Sequence, residues 1–166
     1  AMGEWDNTII VFTSDNGGSR EGQELGTSAY FRTLVSQTRQ NSLDSVDLDL
    51  PNLDAMGGPT NLPHYPMGWA MVSSTPFRLY KINTHQGGHQ VPFIVHWPAG
   101  LSAAGEVRTQ YQHITDLLPT LAELCGVGVP TTKGGRPVPE PAGASMVPTL
   151  DDGGIATTHP EQYYEQ

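Results

Sequence analysis

The sequence predicts an α/β fold, a sheet flanked by helices in a chain rich in loops. Three observations carry that prediction. Ile9 to Phe12 runs without polar interruption and ends in Thr13-Ser14-Asp15-Asn16-Gly17-Gly18. Such a run suits a strand covered on both faces, as in a parallel sheet under helices. Val91 to Trp97 reads as a second strand, with Pro92 at its start, where a proline is tolerated. Ile114, Leu117, Leu118, Leu121 and Cys125 fall at helical spacing, which predicts an amphipathic helix over residues 116–125. The 166 residues include 19 glycines and 14 prolines and are only 37% hydrophobic, which points to long connections in a piece of something larger.

In chain order, Trp5 to Phe12 forms a central strand, and Asp15 and Asn16 emerge at its carboxyl end, where open α/β sheets place ligands. A carboxylate beside an amide carbonyl offers two hard-oxygen ligands for calcium or magnesium; calcium takes roughly six to eight, so the rest must come from elsewhere. Asp-Asn-Gly-Gly is also turn chemistry whether or not anything binds. Residues 17–63 are polar, with a helix expected near Leu25–Val35. The run Leu43-Asp44-Ser45-Val46-Asp47-Leu48-Asp49-Leu50 invites a calcium-loop reading but lacks the glycine and terminal glutamate of an EF-hand, which favours a solvated loop or short strand. Residues 69–80 read as irregular. In the later helix Asp116 is the expected N-cap, Pro119 sits in the first turn and Gly126 is the stop. A Pro/Gly-rich loop over 128–146 precedes one helical turn at Ser145–Leu150, and Gln162–Glu165 begins a strand. His96, on a strand, and His113, before a helix, read as structural.

The net charge of −9 argues against nucleic acid and against anionic membrane surfaces as partners. Cys125 is the single cysteine, which excludes an internal disulfide and leaves the redox compartment open. No apolar run approaches the roughly 18 residues of a membrane span. No signal-peptide pattern opens the chain, and its start almost directly on a strand hints at a missing natural amino terminus.

Three ordered blocks carry a family resemblance. The first is Thr13-Ser14-Asp15-Asn16-Gly17. The second is Lys81-Ile82-Asn83-Thr84-His85-Gln86-Gly87-Gly88-His89-Gln90-Val91-Pro92, followed by Phe93-Ile94-Val95-His96-Trp97-Pro98. The third is Gln112-His113-Ile114-Thr115-Asp116-Leu117-Leu118-Pro119-Thr120 and onward to Val127. Together with Pro148-Thr149-Leu150 and Gln162-Tyr163-Tyr164-Glu165, they make the chain resemble the sulfatase family, particularly the arylsulfatases, except over about residues 19 to 65. The resemblance implies a partial alkaline-phosphatase/sulfatase-like sheet. Residues 1–166 would then be the carboxyl-terminal part of a sulfatase catalytic domain, without the upstream nucleophile region and the final small sheet.

The same resemblance implies hydrolysis of sulfate monoesters by a formylglycine, made from cysteine or serine, whose geminal diol attacks sulfur. Asp15 and Asn16 would be two ligands of the divalent cation, calcium ahead of magnesium. Lys81 would be the catalytic residue that contacts the sulfate and its leaving oxygen. A solvated surface lysine is the plain alternative, but the register with Gln86-Gly87-Gly88 favours the site. His85 is carried as a candidate substrate contact, and His89 could face an anion or solvent. Gln90 stands where the family has arginine, which removes a cation or a structural ion-pair partner near the site and bears on anion binding but not on the metal pair.

No residue here serves as nucleophile. Cys125-Gly126-Val127 does not fit the Cys/Ser-x-Pro-Ser/Ala-Arg signature, and Cys125 is expected on the apolar face of its helix. Ser74-Thr75-Pro76-Phe77-Arg78 places Phe77 where a small residue is required. The expected partners are a sulfate-ester small molecule or glycan and the remainder of the catalytic domain, and these residues alone are expected to be inactive. A periplasmic or secreted location is favoured by the resemblance, with a cytoplasmic one open. Rival readings are a phosphonate monoester hydrolase or phosphodiesterase of the same superfamily, and a non-catalytic module that binds sulfated glycans.

Overall fold

Strand β1 (Ile10–Thr13) and strand β2 (Phe93–His96) form a two-stranded sheet. The computed structural model describes residues 2–31, 47 and 49–165. Both strands are shorter than the apolar runs predicted. Before β1 the chain folds back on itself: Thr8 donates to Glu4 O through its hydroxyl (2.6 Å) and to Trp5 O through its backbone N–H (3.2 Å), local bonds that compete with a ladder. The expectation that β1 is covered on both faces fails, since Phe12 is 64% exposed and Ile94 on β2 is 56% exposed. An uninterrupted apolar run reports what a strand could bury; two strands alone supply too little surface to bury it.

Helix α1 (Met67–Ser73) occupies a stretch expected to be irregular. Gly68 and the exposed Trp69 and Val72 hide any apolar stripe, and only Ala70 is buried. Helix α2 (Gln86–His89) is a single turn. A 3-10 turn (Ile114–Asp116) leads into α3 (Leu117–Leu124). The cap differs from the expected one. His113 is the N-cap of the 3-10 turn and Asp116 closes a capping box back to its backbone, whereas Asp116 makes no side-chain cap bond to α3. Gly126 ends α3 as expected: at φ 65° it donates to Glu123 O, and Val127 donates to Ala122 O, a Schellman motif. Cys125, however, is exposed, as are Ile114 and Leu118, because α3 turns Thr120 and Ala122 inward instead. The Pro/Gly-rich loop contains an antiparallel hairpin, β3 (Thr132–Lys133) and β4 (Arg136–Pro137), joined by Gly134-Gly135. Helix α4 (Val147–Asp151) is the predicted late turn, and residues 162–165 form no strand. Residues 32–46 and 48, holding parts of the Leu25–Val35 and Leu43–Leu50 expectations, lie outside the described residues. Tyr30 and Phe31 are helical, residues 21–25 are turn, and Leu50–Ala55 is an exposed 3-10 helix.

The chain divides into two compact units, Ala1–Ile10 with Val95–Tyr164, and Val11–Ile94 with Glu165–Gln166. In the first, the fully buried Asp116 is the hub. Its carboxylate accepts from His113 N–H (2.7 Å), Ala144 N–H (2.9 Å) and His159 Nδ1 (2.7 Å). Thr120 links the same hub to α4, donating to Asp116 O (2.5 Å) and accepting from Met146 N–H (2.9 Å). Arg108 closes the far end of α4 by donating to Thr149 O (2.8 Å) and Leu150 O (2.9 Å).

The second unit is organised by backbone meeting backbone. Gly17 N–H donates to Gly88 O (3.0 Å), and a Cβ on Gly17 would stand 1.7 Å from Gly87 O. Gly87 is equally confined, since its own Cβ would stand 2.0 Å from Leu79 O. Gly18 continues the seam: its N–H donates to Ser74 Oγ (3.1 Å), which donates to Gly87 O (3.2 Å), and its carbonyl accepts from Lys81 N–H (2.9 Å).

Two outcomes are expected. The hydrogen bond to Asp116, opposed by burial, raises the His159 pKa above its ordinary value. The stabilisation by protonated His159 is therefore complete below the unfolded value of about 6.5 and is lost as pH rises through the folded value. Urea midpoints should fall as pH is raised from about 6 through the alkaline side of neutrality, and His159→Gln should flatten that slope; an equally steep slope in the variant would refute the assignment. Gly17→Ala should cost about 1–3 kcal/mol in urea unfolding, as overpacking against rigid backbone does, while Gly128→Ala, which has open space around it, should cost well under that.

Candidate functional site

Beyond β1 the turn Ser14-Asp15-Asn16 is held by its own bonds. Ser14 Oγ donates to Asn16 O (2.6 Å), and Asn16 Nδ2 donates to Asp15 Oδ1. This arrangement uses the amide's donor side and leaves Asn16 Oδ1 buried with no hydrogen-bond partner. An unpartnered buried carbonyl is costly unless something else coordinates it. The seam of glycines then places Lys81 beside this turn. Asp15, Asn16 and Lys81 line one cleft of about 420 Å³, together with Ser14, Ser74 and Gln90.

The backbone around Lys81 is strained. Leu79 and Ile82 adopt φ of 64° and 85°, costly for any side chain and most so for a β-branched one. The strain is held by Lys81 N–H to Gly18 O, Gly87 N–H to Arg78 O (2.9 Å) and Asn83 Nδ2 to Tyr80 O (3.0 Å).

At its tip Lys81 meets a partner that sequence reasoning missed. Its ammonium donates to both oxygens of Glu21, at 3.1 and 3.2 Å. Ser19 Oγ donates to Glu21 Oε2 (2.7 Å), and His64 Nε2 lies 3.1 Å from Ser19 Oγ and 3.6 Å from Glu21 Oε2. The Ser19 hydroxyl first, and the Lys81 ammonium second, hold the Glu21 carboxyl below its ordinary pKa. No local pattern could have revealed this group, because His64 reaches Gly22 N–H (3.1 Å) across 42 positions of a polar stretch without periodicity.

The other sequence-predicted residues fall as follows. His85 is exposed, makes no side-chain cap bond to α2 and is not among the cleft-lining residues. His89 Nε2 lies 3.2 Å from Thr84 O. His113 caps its 3-10 turn, and the His96 ring packs 5.2 Å from that of Trp5. The hydroxyl of Ser74 is engaged in the glycine seam, both accepting and donating.

For a hard divalent cation the donor chemistry fits in part. Asp15 supplies a carboxylate and Asn16 a free carbonyl at one wall of the cleft. Among the described residues no group of three or more His, Cys, Asp or Glu side chains is placed to hold a metal ion, so these two would be a portion of a ligand set.

Comparison with known proteins finds relatives over most of the chain. A protein of Schizosaccharomyces pombe described as an uncharacterized sulfatase is 32% identical over 147 residues, 88% of this chain and 24% of the relative. An arylsulfatase of Klebsiella aerogenes is 27% identical over 143 residues, 84% of this chain and 27% of its own length. A steryl-sulfatase of Rattus norvegicus is 27% identical over 132 residues, 80% of this chain and 16% of its length. The chain thus spans about a quarter or less of the curated relatives it matches. The sulfatase family model matches residues 1–127, a span that holds both walls of the cleft, and the chain belongs to the sulfatase family.

Proposed function

We propose that this chain contributes one side of the active site of a sulfuric ester hydrolase of arylsulfatase type. Asp15 and Asn16 act as two oxygen ligands of a calcium ion, with magnesium the second choice, and Lys81 faces the sulfate of the substrate. The observation that carries this reading is the buried, unpartnered Asn16 carbonyl beside the Asp15 carboxylate in the cleft that Lys81 also lines. When bound, such a cation would supply Lewis-acid polarisation and a template for the sulfate oxygens.

The chain's own residues then do three things. Asp15 and Asn16 present oxygen to the cation from a turn whose shape is set by Ser14 and the glycine seam. Lys81 presents a compact positive charge that offsets negative charge on the sulfate and on the departing oxygen. Gln90, at the cleft wall, offers a neutral amide to the anion where arylsulfatases carry arginine. The substrate class is a sulfated small molecule or glycan. No formylglycine signature occurs in these residues, so release of nitrophenol from nitrophenyl sulfate by the 166-residue chain alone is not expected.

The test is a pair of titrations followed by 1H–15N NMR. Calcium chloride should shift the amides of Asp15 to Gly18, and Asp15→Asn should weaken that binding roughly tenfold or more, since the charge of the ligand set governs calcium affinity. Sodium sulfate should shift the amides of Gly17, Gly18 and Lys81, with the response lost in Lys81→Met. Calcium shifts unchanged in Asp15→Asn, or sulfate shifts unchanged in Lys81→Met, would overturn the reading.

A further inference from the structure

The site as read leaves one group unexplained: an acidic side chain bound to the cation that is meant to receive an acidic substrate. Glu21 places both carboxylate oxygens at nearly equal distance from Lys81 Nζ, 3.1 and 3.2 Å. It is not a loosely solvated surface partner. Ser19 Oγ donates to it at 2.7 Å, and Glu21 N–H in turn donates to Ser19 Oγ at 3.3 Å. Ser19 is itself fixed, its N–H donating to Tyr65 OH (3.2 Å) and its hydroxyl lying 3.1 Å from His64 Nε2.

His64 joins the same group through both ring nitrogens. Nδ1 lies 3.1 Å from Gly22 N and 3.2 Å from Tyr65 O, and Nε2 lies 3.1 Å from Ser19 Oγ. Ser19 O–H donates to Glu21, and Glu21 accepts from the ammonium. The result is a connected series of polar contacts from Gly22 to Lys81.

Two further facts separate holding from blocking. Lys81 and Ser19 line the cleft, whereas Glu21 is not among the lining residues, so an anion in the cleft would meet Lys81 rather than Glu21. The root of Lys81 is also fixed, by its N–H bond to Gly18 O (2.9 Å) and by the strained residues near it. With root and tip both tied, the ammonium stands at a set position relative to Asp15 and Asn16. An untethered lysine would lose much of its rotamer freedom each time it met an anion.

We propose that Glu21, braced by Ser19 and His64, is a positioning residue that holds the Lys81 ammonium at the cleft wall for a sulfate-like oxyanion. The inference rests on Lys81 being the anion contact, and the two can fail separately. A carboxylate that merely competed for the ammonium would weaken anion binding by its charge, so its removal would tighten binding. A positioning carboxylate gives the opposite sign.

The experiment titrates the 166-residue chain and its Glu21→Gln, Glu21→Asp, Ser19→Ala and Lys81→Met variants with sodium sulfate, read by 1H–15N shifts. The 15N relaxation of the Lys81 ammonium reports its mobility. Glu21→Gln should weaken sulfate binding roughly three- to tenfold, the order expected when a long side chain must be ordered on binding, and should mobilise the ammonium. Glu21→Asp, which keeps the charge, should recover part of the loss. Tighter or unchanged sulfate binding in Glu21→Gln overturns the proposal. If the spectrum shows that Glu21→Gln does not fold, Ser19→Ala decides: weaker binding with a more mobile ammonium supports the proposal, and unchanged or tighter binding overturns it. Sulfate shifts that survive Lys81→Met would sink the Lys81 reading and this inference with it. Loss in Lys81→Met with full retention in Glu21→Gln would sink only the inference.

Discussion

The contact between Gly17 and the Gly87-Gly88 pair is the constraint on which the cleft depends. Carbonyl and amide approach so closely there that no side chain fits between them. Hydrophobic packing tolerates exchange of one apolar group for another of similar volume; a seam made of backbone atoms does not. That rigidity is what holds a carboxylate and an amide carbonyl from one turn beside an ammonium from a distant stretch of chain. The glycines of the two motifs therefore serve the geometry of the site through their backbone, Gly17 and Gly18 at the cleft itself.

Polar groups dominate the buried residues. Among those described, Ala70, Ala122 and Met146 are the buried apolar residues, against Thr27, Ser28, Ser74, Asp116, Thr120, Thr149 and His159. Such an interior is stable only when its donors and acceptors are matched. Asp116 shows how: two backbone amides and one imidazole converge on its carboxylate, and Thr120 ties the same region to α4. Asn16 is the contrast. Its Oδ1 is buried and unmatched at the cleft, beside the Asp15 carboxylate.

Lys81 draws these themes together. Residues 79 and 82 carry backbone strain that the surrounding hydrogen bonds sustain, and strain of that kind collects where a site demands a particular geometry. The side chain itself is neither buried nor free, with Lys81 and Glu21 side chains 35% and 34% exposed. An ion pair so exposed adds little to stability; its effect is to fix where a charge stands.

The sequence alone determined the chemistry-bearing motifs, two strands with shorter bounds than their apolar runs, and the late helices, because those features reside in local pattern: an apolar run, a helical period, Gly126 as a stop. Asp15, Asn16 and Lys81 were legible by motif and share a cleft, while His85, also named from the motif, is exposed and does not line it. Only the tertiary structure decided the rest. Helix α1 rests on the burial of Ala70, the capping role of Asp116 depends on His113 and a loop, and the exposure of Phe12, Leu118 and Cys125 depends on what packs against them. Glu21, Ser19 and His64 converge on the ammonium through bonds between residues far apart in the chain. Periodicity records which face of an element is apolar; the identity of a partner tens of residues away is a property of the folded chain.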